Sequence, residues 1–270
     1  MPHSYVDASH NLFFRLDQGD WREDLVKSSD GDVTGYQEGA GGDVRRVLKE
    51  FCAAHGRGLY HPAGTGNPIS WKKEVFSMAR VEGSLVRGAI NAHPGAVAMG
   101  IDAKYNPARD FTWVGLTHKA SGKKLLRINV HPLAGGTKRE DNPDNTDSDE
   151  LSQYKDWGIG QYWLDVLSFA AAQMSLQDPG RESMTSLWDI VTIGGDYNAA
   201  MDNYARWYYP APMLDALFVR DKYLGGLDHL QHAYGADVRD ERRWAEQGNT
   251  DHRIHYMQRT ILDVPDFPRQ

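Results

Sequence analysis

The spacing of apolar and polar residues changes several times along the chain, and each change predicts an element. SYVDASHNLFF, residues 4–14, alternates roughly every second position, as a half-buried strand does. GDWREDLVKSSDG predicts a short helix closing on a turn, and DVTGYQEG a short strand. In GDVRRVLKEFCAAHG the apolar residues Val44, Val47, Leu48 and Phe51 fall on one helical face, with Gly56 as the stop. GLYHPAGTGNPISWKKEVFSMARVEGS then gives short strands separated by Gly and Pro.

Further on, FTWVGLTH and KLLRINVH form a hairpin around the turn ASGK. AGGTKREDNPDNTDSDE has no apolar period and reads as a long polar surface loop. ELSQYKDWGIGQYWLDVLSFAAAQMSLQ predicts a long helix with Trp163, Leu164, Leu167, Phe169, Ala170 and Met174 on its buried side. The strand SLWDIVTIGG follows, then an irregular aromatic segment, the strand-like GLDHLQHAYG, a polar helical turn, and a last strand in TDHRIHYMQRTIL. Many strands with few helices exclude a helix bundle, and strict β-α alternation is missing. An α+β sandwich of two face-to-face sheets with outer helices suits the order, and residues 1–270 read as a single domain.

Composition narrows this little. The net charge is -7, which argues against wrapping duplex DNA by charge alone. The lone cysteine, Cys52, cannot form an internal disulfide and reads as a buried packing thiol. No basic-then-apolar leader and no membrane-length apolar run is seen, so the expectation is a soluble chain without a membrane partner, cytoplasmic or virion-associated.

Candidate chemistry sits where the strands end. Asn11, Glu38, His131, Asp196, Asn198, Asp228 and the pair Asp251-His252 all stand at or near such ends. In GGDYNAA, period two would put Asp196 and Asn198 on one side. The two glycines before them would leave room where a Cβ would crowd a bound phosphate. Together these residues match what metal-assisted phosphodiester cleavage needs. Hard oxygen donors suit Mg²⁺ or Mn²⁺, a base activates water, and donors face the developing phosphate charge. The sequence has no P-loop, no zinc-spaced Cys/His cluster and no Gly-x-Ser-x-Gly elbow.

The order of these segments resembles the endonuclease/exonuclease/phosphatase superfamily, with its deoxyribonuclease I-like fold. SHNLFF is similar to the opening Asn-containing strand, DVTGYQEG to the motif ending in Gln-Glu, and KLLRINVHPL to the strand ending in a histidine. IGGDYNAA is similar to Gly-Asp-x-Asn, GLDHLQHA to the Asp-His strand, and NTDHRI to the closing Ser-Asp-His, with Thr250 in place of the Ser. PISWKKEVFSMA and FTWVGLTHKASGKKL resemble the middle strands. The resemblance spans roughly residues 4–263.

It implies a four-layer α/β/β/α sandwich and a divalent-metal-dependent phosphodiesterase, foremost a nuclease acting on DNA or RNA. Glu38 would ligate Mg²⁺ or Mn²⁺, with Asn11 and Asp251 nearby. Asp196 and Asn198 would orient water and bind phosphate. His252 would be the base or phosphate-polarising group, oriented by Asp228, and His131 the second histidine. Two departures concern the substrate. Phe13 stands where many members carry a second polar residue, and the segment after His131-Pro132 is acidic. A phosphatase acting on a small phosphorylated molecule is therefore the alternative enzyme. A non-catalytic module of an assembly such as a virus particle is the other alternative, with the aromatic segment 204–213 as a partner surface.

Overall fold

The computed structural model describes residues 3–12, 25–26, 30–92, 109–132, 149–176, 187–196, 219–220, 232–234, 237–245 and 254–261. In chain order the strands are β1 (Ser4–Asn11), β2 (Val33–Gln37), β3 (Arg57–Tyr60), β4 (Ile69–Lys72), β5 (Phe76–Met78), β6 (Arg80–Val81), β7 (Ser84–Leu85) and β8 (Arg87–Ala92). They continue with β9 (Arg109–His118), β10 (Lys124–Val130), β11 (Ile190–Gly195), β12 (Val219–Arg220), β13 (His232–Tyr234), β14 (Asp237–Ala245) and β15 (Ile254–Ile261). The helices are α1 (Gly42–Ala54) and α2 (Asp149–Ser175).

One sheet runs β14-β15-β1-β2-β4-β3; the other runs β12-β13-β11-β10-β9-β5, with β8 also on β9. Pairing is antiparallel except at one place in each sheet. β1 and β2 run parallel, with Asn11 opposite Gln37. β10 and β11 run parallel, with Val130 opposite Gly195. Each parallel pair therefore brings two carboxyl-terminal strand ends side by side. β9 and β10 form the expected hairpin, Asn129 facing Thr112.

Side-chain alternation explains the core. In β10, Leu126, Ile128 and Val130 pack with Tyr162, Trp163, Val166, Leu167 and Ala170 of α2. Tyr5, Val33, Ile69 and Trp71 of the first sheet meet Phe76, Val114, Leu116, Leu125 and Ile190 of the second. On the first sheet's other side, Tyr36 packs with Val44, Leu48 and Cys52 of α1. Those three helical residues recur four apart, so they form one stripe. Asp43 in the first turn of α1 suits the helix dipole. The helix stops at His55, followed by Gly56 at φ 64, a left-handed conformation that glycine adopts freely. Cys52 is buried, and burial raises its thiol pKa to about 11, so it packs as an inert side chain.

Two elements differ from the sequence reading. Leu164 is exposed, because the buried stripe of α2 runs through Tyr162, Trp163, Val166, Leu167 and Ala170 and leaves it on the outer side. The polar helical turn expected after HAYG is the strand β14, paired antiparallel with β15 from Asp237 to Ala245. Pairing with a neighbouring strand overrides its weak local preference, and a charged sequence suits a sheet edge. The short helix expected in 19–31 falls mostly outside the described residues. No helix among the described residues is long and apolar enough to cross a membrane.

Candidate functional site

The two parallel strand pairs end at one rim. Asn11 closes β1 and is fully buried there. Its Nδ2 donates to Asp196 Oδ2 at 2.8 Å and to Glu38 Oε1 at 3.3 Å. One amide from the first sheet thus joins a carboxylate of its own sheet to a carboxylate of the other. His131, directly after β10, places Nε2 3.7 Å from Asp196 Oδ2. Asn11, Glu38, His131 and Asp196 therefore come together. Asn198, Asp228, Asp251 and His252 lie outside the described residues, as does the aromatic segment 204–213.

Local backbone chemistry sets each position. Glu38 has φ 59, a left-handed conformation uncommon for a residue with a side chain. The strand end around it is held on both sides. Leu12 N donates to Gln37 O at 3.0 Å, and Gly39 N donates to Gly66 O at 2.8 Å. Gly195 has φ 150, and a Cβ there would collide with the Val130 backbone. The adjoining strand is thus a close neighbour that by itself requires glycine at 195.

The histidine is placed from behind. His131 N donates to Tyr162 Oη at 3.0 Å, and that hydroxyl donates to Asp110 O at 3.2 Å. Burial pushes the His131 pKa down, helped by the Arg109 charge and opposed by Asp196, Glu38 and Asp110. Burial likewise raises the pKa of the Tyr162 phenol and of the Asp110 carboxyl.

Asp110 escaped the sequence reading. It stands second in β9, near His131, and its carboxylate accepts from Gly66 N at 3.3 Å and Asn67 Nδ2 at 3.2 Å. Asn11, Glu38, His131 and Asp196 stand at the trailing ends of strands, and Asp110 does not. An antiparallel neighbour brings its leading end to the same rim, so the acid before FTWVGL carried the missing signal. The loop 61–68 that supplies Gly66 and Asn67 is anchored to α1. Arg45 donates to His61 O, and to Pro62 O at 3.2 Å. His61 has its pKa lowered to about 4, by burial first and then by Arg45.

No family model and no curated protein matches the sequence. Solved structures do match. An endonuclease/exonuclease/phosphatase family protein from Bacteroides thetaiotaomicron superposes with TM-score 0.60 at 13% identity, over 98% of this chain and 100% of that one. A mannosyl-6-phosphatase from the same organism gives 0.58 at 14% identity, over 95% and 99%. The human nocturnin catalytic domain gives 0.56 at 12%, over 96% and 94%. The chain has the endonuclease/exonuclease/phosphatase fold. This is the deoxyribonuclease I-like sandwich expected from its sequence.

Whether the rim suits a divalent metal depends on its donors. Among the described residues no group of three or more His, Cys, Asp and Glu is arranged to hold a metal ion. Mg²⁺, however, is commonly bound by one or two carboxylates and completes its octahedron with water and substrate phosphate. The Glu38 and Asp196 carboxylates, converging on one amide, are hard oxygen donors of that kind. The donor set therefore fits Mg²⁺ or Mn²⁺ better than a zinc centre rich in Cys and His.

Proposed function

We propose that the protein is a divalent-metal-dependent phosphodiesterase that hydrolyses nucleic-acid phosphodiester bonds by attack of an activated water. The observation that carries this reading is the Asn11 amide, which joins Glu38 and Asp196 across two sheets beside His131. Glu38 would hold Mg²⁺ or Mn²⁺, with Asn11 and Asp251 in its surroundings. When bound, the cation would neutralise phosphate charge and make a coordinated water more acidic. Asp196 and Asn198 would orient the attacking water and a non-bridging phosphate oxygen. His252, oriented by Asp228, would accept the water's proton.

Burial favours the neutral imidazole of His131, which has one N–H to donate and one acceptor nitrogen. That supports a hydrogen bond from His131 to a phosphate oxygen over protonation of the leaving oxygen.

The neighbouring mannosyl-6-phosphatase structure favours a second reading, a phosphatase for a small phosphorylated substrate. The acidic segment after Pro132, which would repel a polynucleotide if it faced the site, points the same way.

The purified chain should be incubated with plasmid, single-stranded DNA, RNA and a panel of sugar and nucleotide phosphates, with Mg²⁺ or Mn²⁺. Cleavage of a polynucleotide, lost with chelator and in Glu38→Ala, is the expected result. Preference for phosphomonoesters would shift the conclusion to the second reading. No hydrolysis of any phosphoester, or equal activity in Glu38→Ala, would sink both.

A further inference from the structure

The strand that leads into His131 carries two more polar residues on the same face. Period two puts Leu125, Arg127, Asn129 and His131 towards the other sheet, and Leu126, Ile128 and Val130 towards α2. Arg127 is fully buried. Its Nε donates to Asp7 Oδ1 at 3.0 Å, across the space between the sheets, and Asp7 is fully buried too. Asp7 Oδ2 also accepts from Thr192 Oγ1 at 3.4 Å. Arg127 Nη1 donates to Gly194 O at 3.1 Å and to Ile128 O.

These contacts tie together the strands that carry the rim. Asp7 and Asn11 lie on β1; Thr192 and Gly194 lie on β11, which leads into Asp196. Asn11 and Asp196 make one direct link between these strands. Asp7 makes a second, deeper connection, to Thr192 directly and to Gly194 through Arg127. A single link leaves two strands free to pivot about it, whereas two links fix both their spacing and their rotation.

Stability alone is a poor explanation for this pair. Replacing a buried ion pair with apolar side chains of similar volume is often neutral or stabilising. An apolar pair, however, makes no directional bond to a main-chain carbonyl. We propose that Arg127, oriented by Asp7, is a positioning residue that holds the Gly194–Gly195 end of β11 and so aims the Asp196 carboxylate at Asn11. Its catalytic consequence rests on the phosphoesterase reading; its structural consequence does not.

The test uses the full chain, the double variant Asp7→Leu/Arg127→Met, and Arg127→Lys. Lysine keeps the charge beside Asp7 but lacks the second nitrogen that reaches Gly194. Three quantities are read: thermal unfolding, amide hydrogen exchange across residues 190–196, and kcat and KM on bis(p-nitrophenyl) phosphate with Mn²⁺. The double variant should unfold near the wild-type temperature. Its exchange at residues 194–196 should rise about tenfold or more, as expected for loss of a charge-assisted hydrogen bond. Its kcat should fall on the order of 10²-fold, the cost of a small misplacement at a reacting centre. KM should stay within about twofold. Arg127→Lys should show the same rise in exchange.

Wild-type exchange at 194–196 in either folded variant would overturn the proposal, and so would raised exchange with unchanged kcat. If the double variant does not fold, Arg127→Lys decides. If the wild-type protein hydrolyses no phosphoester, the phosphoesterase reading fails, and exchange alone decides whether the tie holds the strand end.

Discussion

At one end of the space between the sheets, Tyr5, Leu125 and Ile190 pack against Trp71, Phe76, Val114 and Leu116. Six residues further along the same three strands stand Asn11, His131 and Asp196, joined by polar contacts. That is roughly 20 Å of extended chain. Between the two ends the same faces carry Asp7, Arg127, Asn129 and Thr192, all buried and hydrogen-bonded across the gap. One sandwich thus grades from an oil-like end to a polar rim. The apolar end supplies burial free energy, and it tolerates little functional demand. The polar end sacrifices that burial for directional bonds that fix carboxylates and an imidazole in space.

Substitutions at the two ends should therefore damage different properties. The largest effect is expected at the rim. Asp196→Asn keeps the side-chain shape and can still meet Asn11, but it loses the charge. Under the proposed function, kcat for the preferred phosphoester should fall on the order of 10³-fold, with the unfolding midpoint nearly unchanged. A steady-state assay beside a urea titration checks both. A large loss of stability with little loss of activity would reverse the assignment of the two ends.

Leu125→Ala, at the apolar end, should do the opposite. The methyl and methylene groups it deletes leave a cavity among Tyr5, Trp71 and Ile190, for about 2–5 kcal/mol of stability. Per folded molecule, activity at low temperature should stay near wild type. Denaturant unfolding, with activity measured on the same preparation, separates the two quantities.

How much of this was legible in the sequence follows the same gradient. The apolar alternation of the strands, the β9–β10 hairpin and the α1 stripe were readable, because each obeys a local period. Asn11, Glu38, His131 and Asp196 were readable as polar residues at the trailing ends of such strands. Arg127, Asp7 and Asn129 were not. Arginine and aspartate are almost always exposed unless paired, and here the partners lie on strands far apart in sequence. In hindsight, R-x-N-x-H at period two within an apolar strand was the available signal. β14 was missed for a related reason: its strand character comes from β15, which follows later in the chain.

Gly35 tests the graded zone between the ends. A Cβ there would strike the Asn129 amide and lie 3.0 Å from Arg127 Nη2. Asn129 is held in place by Gln37 Nε2, which donates to its Oδ1 at 2.9 Å. Its own Nδ2 donates to Tyr36 O at 2.6 Å and Pro68 O at 3.1 Å. It has little freedom to yield. Gly35→Ala is therefore expected to cost about 1–3 kcal/mol, and it should lower kcat as well, since Tyr36 and Gln37 lead into Glu38. A stability loss with no change in kcat would show that the middle zone belongs with the apolar end.

The smallest expected effect is a pH dependence confined to the polar end. His61, in the loop that braces Gly39 and Asp110, has its pKa lowered to about 4 from an ordinary 6.5. Burial is the main cause, and the Arg45 charge adds to it. A depressed histidine pKa means the unfolded chain binds the proton more tightly than the folded one. The contribution of His61 is thus complete above pH 6.5 and is lost progressively as the pH falls towards 4. His131, whose pKa burial also lowers, acts in the same direction. Asp110 acts in the opposite direction, because its raised pKa makes the folded chain the tighter proton binder above pH 3.8. Urea midpoints between pH 8 and 4.5 should therefore decline below 6.5 in wild type and decline less in His61→Gln. Leu125→Ala should lie below wild type by about the same amount across this pH range, since the group it removes does not titrate. A His61→Gln curve parallel to wild type would place the acid sensitivity elsewhere than in the loop beneath Glu38.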